Sequence, residues 1–122
     1  MSFEKSNNLY QKALLFSKEI VLLYRQLETK NVENEISKQL LKNGTMIGAY
    51  ISESQCSNSE PEYLDSIQHS HRELFLTKYW LDLLKENNDI NEELYEKLST
   101  IMNELSKIMS AMIRGIRSKK VQ

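Results

Sequence analysis

A chain of 122 residues fits one domain, 1–122, and is long enough to bury a core. Three glycines and one proline are too few for an all-β protein, which needs turn residues roughly every ten positions. The 16 basic and 17 acidic residues nearly cancel, which excludes a global pull toward nucleic acid or an anionic membrane.

Apolar residues recur with helical period in four segments. The first covers about 7–28, where Leu9, Ala13, Phe16, Ile20, Leu23 and Leu27 alternate spacings of four and three, the seam of a bundle helix. Thr29 to Asn31 breaks that rhythm. The second covers about 32–54, with Ile36, Leu40, Ile47 and Ile51 inward and Asn43 beside them. An inward Asn is expected to fix register, as it does in coiled coils. Gly44 and Gly48 weaken this helix by up to about 1 kcal/mol each relative to Ala. Their Gly-x-x-x-Gly spacing permits close helix approach, and Lys38 and Lys42 on the same helix argue against a membrane role.

The third segment covers about 60–86. Ser59-Glu60-Pro61-Glu62 reads as a capping box, with Ser59 as N-cap and Pro61 in the first turn. Tyr63, Ile67, Ser70, Leu74, Thr77, Leu81 and Leu84 form its seam. The fourth covers about 91–118, with Asn91 as N-cap and Ile90 and Tyr95 spaced as a hydrophobic staple. Its seam reads Leu94, Leu98, Ile101, Leu105, Ile108 and Met112. Short connections between long helices force antiparallel neighbours, so the predicted fold is all-α, an antiparallel up-down-up-down four-helix bundle.

One seam per helix closes a bundle, yet several helices carry more. The third adds Phe75, Leu76, Tyr79, Trp80 and Leu83; the first adds Leu14, Leu15, Val21 and Leu22; the fourth adds Met102, Met109, Ile113 and Ile116. Large exposed apolar patches mark interaction sites. The expectation is a homo-oligomer whose interface uses Phe75, Leu76, Tyr79, Trp80, Leu83, Met102 and Met109.

No catalytic or cofactor-binding constellation is present. Di-metal bundles use Glu-x-x-His, but Ser66 precedes His69 by three and Gln68 precedes His71 by three. Asp65, His69 and Glu73 share one face, which reads as a solvated helix surface and not as a metal site. Gly44 and Gly48 fit no phosphate loop. Cys56, the only cysteine, rules out an internal disulfide and fits a reducing compartment. The start of the chain lacks an apolar signal region, and no apolar run approaches the roughly 20 residues that span a bilayer. A cytoplasmic protein without a membrane role is expected. Arg114, Arg117, Lys119 and Lys120 gather at the C-terminal end with no nearby acid; phosphate or nucleic-acid binding is their sharper reading.

The middle of the chain carries a resemblance. Ile36-Ser37-Lys38-Gln39-Leu40-Leu41-Lys42, continued by Met46-Ile47-Gly48-Ala49-Tyr50-Ile51-Ser52-Glu53, resembles the signature LTSQLRRAAVSIPANIAEG of proteins encoded in bacterial 23S rRNA intervening sequences. Ser59-x-x-Glu62-Tyr63-Leu64 is similar to that family's SxxEFI start of the third helix, and Glu73, Thr77, Tyr79-Trp80-Leu81 and Leu83-Leu84 to its KEAxETxYWLxLL variant. The likeness runs from about residue 8 to 117. It implies an up-down bundle without enzymatic activity, often assembled as a ring-like homopentamer. Some relatives are accessory proteins of diversity-generating retroelements, which bind a reverse transcriptase and nucleic acid through a basic surface. Here the sequence departs from the pattern: the family's Pro and Asn are Gly48 and Tyr50, its Gly is Ser54, its basic loop is Gln55 to Asn58, and the Glu of its ET pair is Leu76. Fewer cations neutralise fewer phosphates, so these changes weaken an RNA or DNA role and leave fold and assembly untouched. Two functions follow as expectations. The first is a non-enzymatic oligomeric binding or scaffold protein, with a possible protein or RNA partner. The alternative is an accessory protein that binds structured RNA or DNA.

Overall fold

The computed structural model describes residues 3–121, with side chains placed for 8–119. Four helices follow one another: α1 (Phe3–Thr29), α2 (Asn34–Ser54), α3 (Glu60–Glu86) and α4 (Glu92–Val121). Each packs on the next and α4 closes on α1, while the backbones of the diagonal pairs stay apart. This is the all-α, up-down four-helix bundle that the periodicity implies.

The helix ends are chemically marked. At the end of α1, Asn31 takes the left-handed conformation (φ 57°). There Val32 N–H donates to Leu27 O and Asn31 N–H to Glu28 O, the paired bonds of a Schellman cap. Val32 is consumed by that cap, so α2 starts at Asn34 and not at 32. The end of α3 repeats the device with Asn88 (φ 62°), Asp89 N–H to Leu84 O and Asn88 N–H to Lys85 O. At the start of α3, Ser59 Oγ accepts from Glu62 N–H at 3.3 Å. The return bond of this capping box is shifted by one residue: Glu62 Oε2 accepts from Asn58 N–H at 2.9 Å. Asn91 Oδ1 accepts from Leu94 N–H at 2.8 Å and caps α4. α2, after Glu33, begins without a side-chain cap.

The seams of α1 and α3 are buried throughout, as is Leu40, Ile47 and Ile51 of α2; Ile36 is partly covered. On α4 the structure corrects the sequence. Leu98, Leu105 and Met112 are buried, but Leu94, Ile101 and Ile108 are only partly covered. Met102 (3% exposed) and Met109 (0%) lie in the core with Ile113 and Ile116. Neither methionine is available to an interface of the folded chain. The cause is the rotation of α4 toward α3: the α1–α4 seam is the loosest of the four. It leaves Ile101 and Ile108 at its edge and is bridged by Lys12–Glu104 at 3.0 Å and Lys97–Glu19 at 3.2 Å. Unbranched methionine fills the irregular space between α4 and its neighbours.

Two close approaches set the other seams. A Cβ on Gly44 would lie 2.9 Å from Ile20 Cγ2, so α1 and α2 meet where a side chain is missing. Ser70 Oγ donates to Ile47 O at 2.8 Å and joins α3 to α2. Nearby, Asn43 (6% exposed) joins the same two helices through both ends of its amide. Its Nδ2 donates to Glu73 Oε2 at 2.7 Å, and its Oδ1 accepts from Trp80 Nε1 at 2.9 Å.

The α3–α4 turn is clamped by charge. Tyr95 donates to Asp82 Oδ1 at 2.6 Å and Lys78 to Asp82 Oδ2 at 2.9 Å; Lys85 stands 4.3 Å over the Tyr95 ring and pairs with Glu92. Burial pushes the Asp82 carboxyl up, but the bonds from Tyr95 and Lys78 outweigh it and hold it below its ordinary value. The hydrogen bond to Asp82 in turn raises the Tyr95 hydroxyl.

Three stability measurements check this account. Gly44→Ala overpacks the Ile20 contact and is expected to cost a net of about 1–2 kcal/mol in urea unfolding, despite the helix propensity of Ala. Asn43→Ala leaves Trp80 N–H and Glu73 without their shared partner; a loss of roughly 1–3 kcal/mol and a shifted Trp80 emission are expected. Asp82 is more acidic folded than unfolded, so its contribution is full above the unfolded value of 3.8 and is lost as pH falls through the lower folded value. Asp82→Asn is therefore expected to destabilise at pH 7 by at most about 1 kcal/mol, since the pair is partly exposed, and to match the parent in acid.

Candidate functional site

With the Asn43 bridge fixing its rotation, α3 turns Phe75 (56% exposed), Leu76 (49%) and Tyr79 (59%) outward. Leu83, seven positions after Leu76 on the same face, is half-buried. Trp80 is half-buried too, because its indole N–H is committed to Asn43; Tyr79 meets the indole edge-on at 5.0 Å. Of the seven interface residues expected from sequence, Phe75, Leu76, Tyr79 and Leu83 lie on the outer side of α3, Trp80 turns to the α2 seam, and Met102 and Met109 are in the core.

A second apolar face lies on α1. Leu14, Leu15 and Leu22 are 53%, 50% and 42% exposed. Leu14, Leu15 and Val21, with Gln11, Ser17 and Lys18, line a depression of about 430 Å³. The α1 face was visible in the sequence as a surplus stripe but was not included among the interface residues.

The third surface is basic. Arg114 and Arg117 of α4 line a cleft of about 350 Å³ with Arg72, His71 and Gln68 of α3 and with Ser110 and Ile113. His71 Nε2 lies 3.1 Å from Ser106 Oγ and 3.4 Å from Ser110 Oγ, and Phe75 stacks edge-on against its ring at 5.1 Å. Burial lowers the His71 pKa, which keeps the ring neutral at neutral pH. Arg72 and His71 were missed as partners because they stand more than forty positions from Arg114; only packing brings them together. Lys119 is not in this cleft. It sits 3.6 Å from Glu60 and lines a separate depression with Ser57 to Glu60 and Tyr63. The Lys120 side chain lies outside the described residues.

The polar face of α3 is dispersed. His69 Nδ1 is 2.8 Å from Asp65 O and 3.6 Å from Asp65 Oδ2, and its ring lies 5.2 Å from Tyr50. Glu73 turns the other way, to Asn43. Among the described residues no group of His, Cys, Asp and Glu could hold a metal ion, and no helix is long and apolar enough to cross a membrane. Cys56 is exposed and unpaired by any disulfide.

The fold has a counterpart elsewhere. The chain superposes on the crystal structure of a protein of unknown function from the S23 ribosomal protein family of Bacteroides thetaiotaomicron, with a TM-score of 0.84 and 34% sequence identity over 90% of this chain and 98% of that one. No curated protein matches. The family model of the 23S rRNA-intervening sequence protein matches residues 5–111. The chain therefore belongs to the 23S rRNA-intervening sequence protein family.

Proposed function

We propose that the protein is a non-enzymatic subunit of a homo-oligomeric ring, acting as a cytoplasmic binding or scaffold module. The observation that supports this is the pair of apolar faces. Phe75, Leu76 and Tyr79 on α3 and Leu14, Leu15 and Leu22 on α1 are each about half exposed. α1 and α3 are diagonal in the bundle, so their solvent faces look in opposite directions. A face that pairs with a different face on the next copy makes a head-to-tail contact, which closes into a ring or runs on as a filament. Five subunits is the closure that the family resemblance implies.

The alternative, an accessory protein for structured RNA or DNA, has one observation in its favour: the arginines that line the α3–α4 cleft. Three phosphate contacts give a modest affinity that falls steeply with salt. The net charge of −1 supplies no long-range attraction to add to it.

Sedimentation equilibrium at micromolar concentration tests the assembly. The parent is expected to be oligomeric. Leu15→Asp on α1 and Tyr79→Asp on α3 are each expected to be monomeric alone, with little change in melting because both positions are exposed in the single chain. An equimolar mixture retains one intact α1 face and one intact α3 face, so it is expected to form dimers. A parent that sediments as a monomer ends the proposal. An α1 variant that still dimerises alone shows a symmetric α3–α3 contact instead of a ring.

A further inference from the structure

We propose that the α3–α4 cleft is a binding site for a small phosphate monoester, with Arg72, Arg114 and Arg117 holding the phosphoryl oxygens. Three guanidinium groups from two helices border a single cleft, and no carboxylate lines it. Among the described residues no ion pair involves any of the three. Asp65 is seven positions before Arg72, about 10 Å along α3, and keeps company with His69. On α4 the last acid is Glu104, about 15 Å before Arg114, and it pairs with Lys12. The cations repel one another without an anion among them. A guanidinium fork suits bidentate contact with phosphate oxygens.

The neutral groups complete the recognition. Ser110 and Gln68 line the cleft and carry donors for oxygens that the arginines leave free. Ser110 is itself held near His71 Nε2, at 3.4 Å. Ile113, 8% exposed, gives the cleft an apolar floor, where charge-assisted bonds are stronger than in open water.

The extent of the charge selects the ligand. Along the groove in one direction the next cation, Lys119, is paired with Glu60. In the other direction Phe75 intervenes, and then Lys78 is paired with Asp82. A polynucleotide is held by cations repeated along its backbone path. Among the described residues Arg72, Arg114 and Arg117 are the cations that line the cleft, and Lys107, seven positions before Arg114, stands about 10 Å away along α4, which matches a single group carrying about two negative charges. A volume of about 350 Å³ leaves room beside the phosphoryl for a compact polar body.

Isothermal titration of the full chain with ribose 5-phosphate tests this, with ribose and with sodium chloride at matched ionic strength as references. Saturable binding of ribose 5-phosphate is expected, with none for ribose. Arg114→Gln and Arg72→Gln are each expected to weaken it about tenfold, while Lys38→Gln, on the exposed side of α2, leaves it unchanged. Heat that follows ionic strength without saturating overturns the proposal. So does tighter binding of a thymidine decamer lacking terminal phosphates, which assigns the cleft to a nucleic-acid backbone. Assembly is read separately by sedimentation, so failure here leaves the ring reading standing.

Discussion

The arrangement of surfaces depends on one buried amide. Asn43 lies in the α2–α3 seam and gives its donor to Glu73 and its acceptor to Trp80, residues seven apart on α3. A shift of α3 by one turn would leave a buried amide, a carboxylate and an indole N–H unpaired together. Each such loss costs roughly 1–3 kcal/mol, a large part of the stability of a domain this size. Apolar seams alone tolerate such slips, because Leu on Leu looks alike one heptad away. The amide removes that freedom. It thereby decides that Phe75, Leu76 and Tyr79 face outward and that His71 faces α4.

How far the fold was legible follows from how narrow each apolar stripe is. On α1 and α3 the four-three spacing has one solution, and Leu9 to Leu27 and Tyr63 to Leu84 are buried as read. On α4, apolar residues cover a wide arc, and period alone gives two adjacent stripes equal standing. The choice fell on Ile101 and Ile108; tertiary packing chose Met102 and Met109, because α4 leans on α3 more than on α1. Asn43 could be recognised as inward and polar from its place in the pattern. Its partners could not, since Glu73 and Trp80 are thirty and thirty-seven positions away.

The basic cleft shows the same limit. The linear cluster from Arg114 to Lys120 is plain in the sequence, but helix geometry divides it. Arg114 and Arg117 turn to α3, whereas Lys119 turns to Glu60. What remains is smaller than the linear cluster and better defined, since Arg72 arrives from another helix. The surplus apolar residues divide in a similar way. Some fill the core, and the rest form two faces on diagonal helices.

Gly115 gives this end of the bundle a further property. It is exposed, and nothing stands within 4 Å of the position its Cβ would occupy, so no packing requires a glycine there. A glycine inside a helix costs about 1 kcal/mol relative to Ala. The weak joint falls between Arg114 and Arg117. Backbone amides just beyond it are expected to exchange their hydrogens through a local opening that needs less energy than the unfolding which exposes Leu98 or Leu105. An anion that grips both arginines spans the joint. Its grip is then felt first as slowed exchange in the last turns of α4, far from any change in the core.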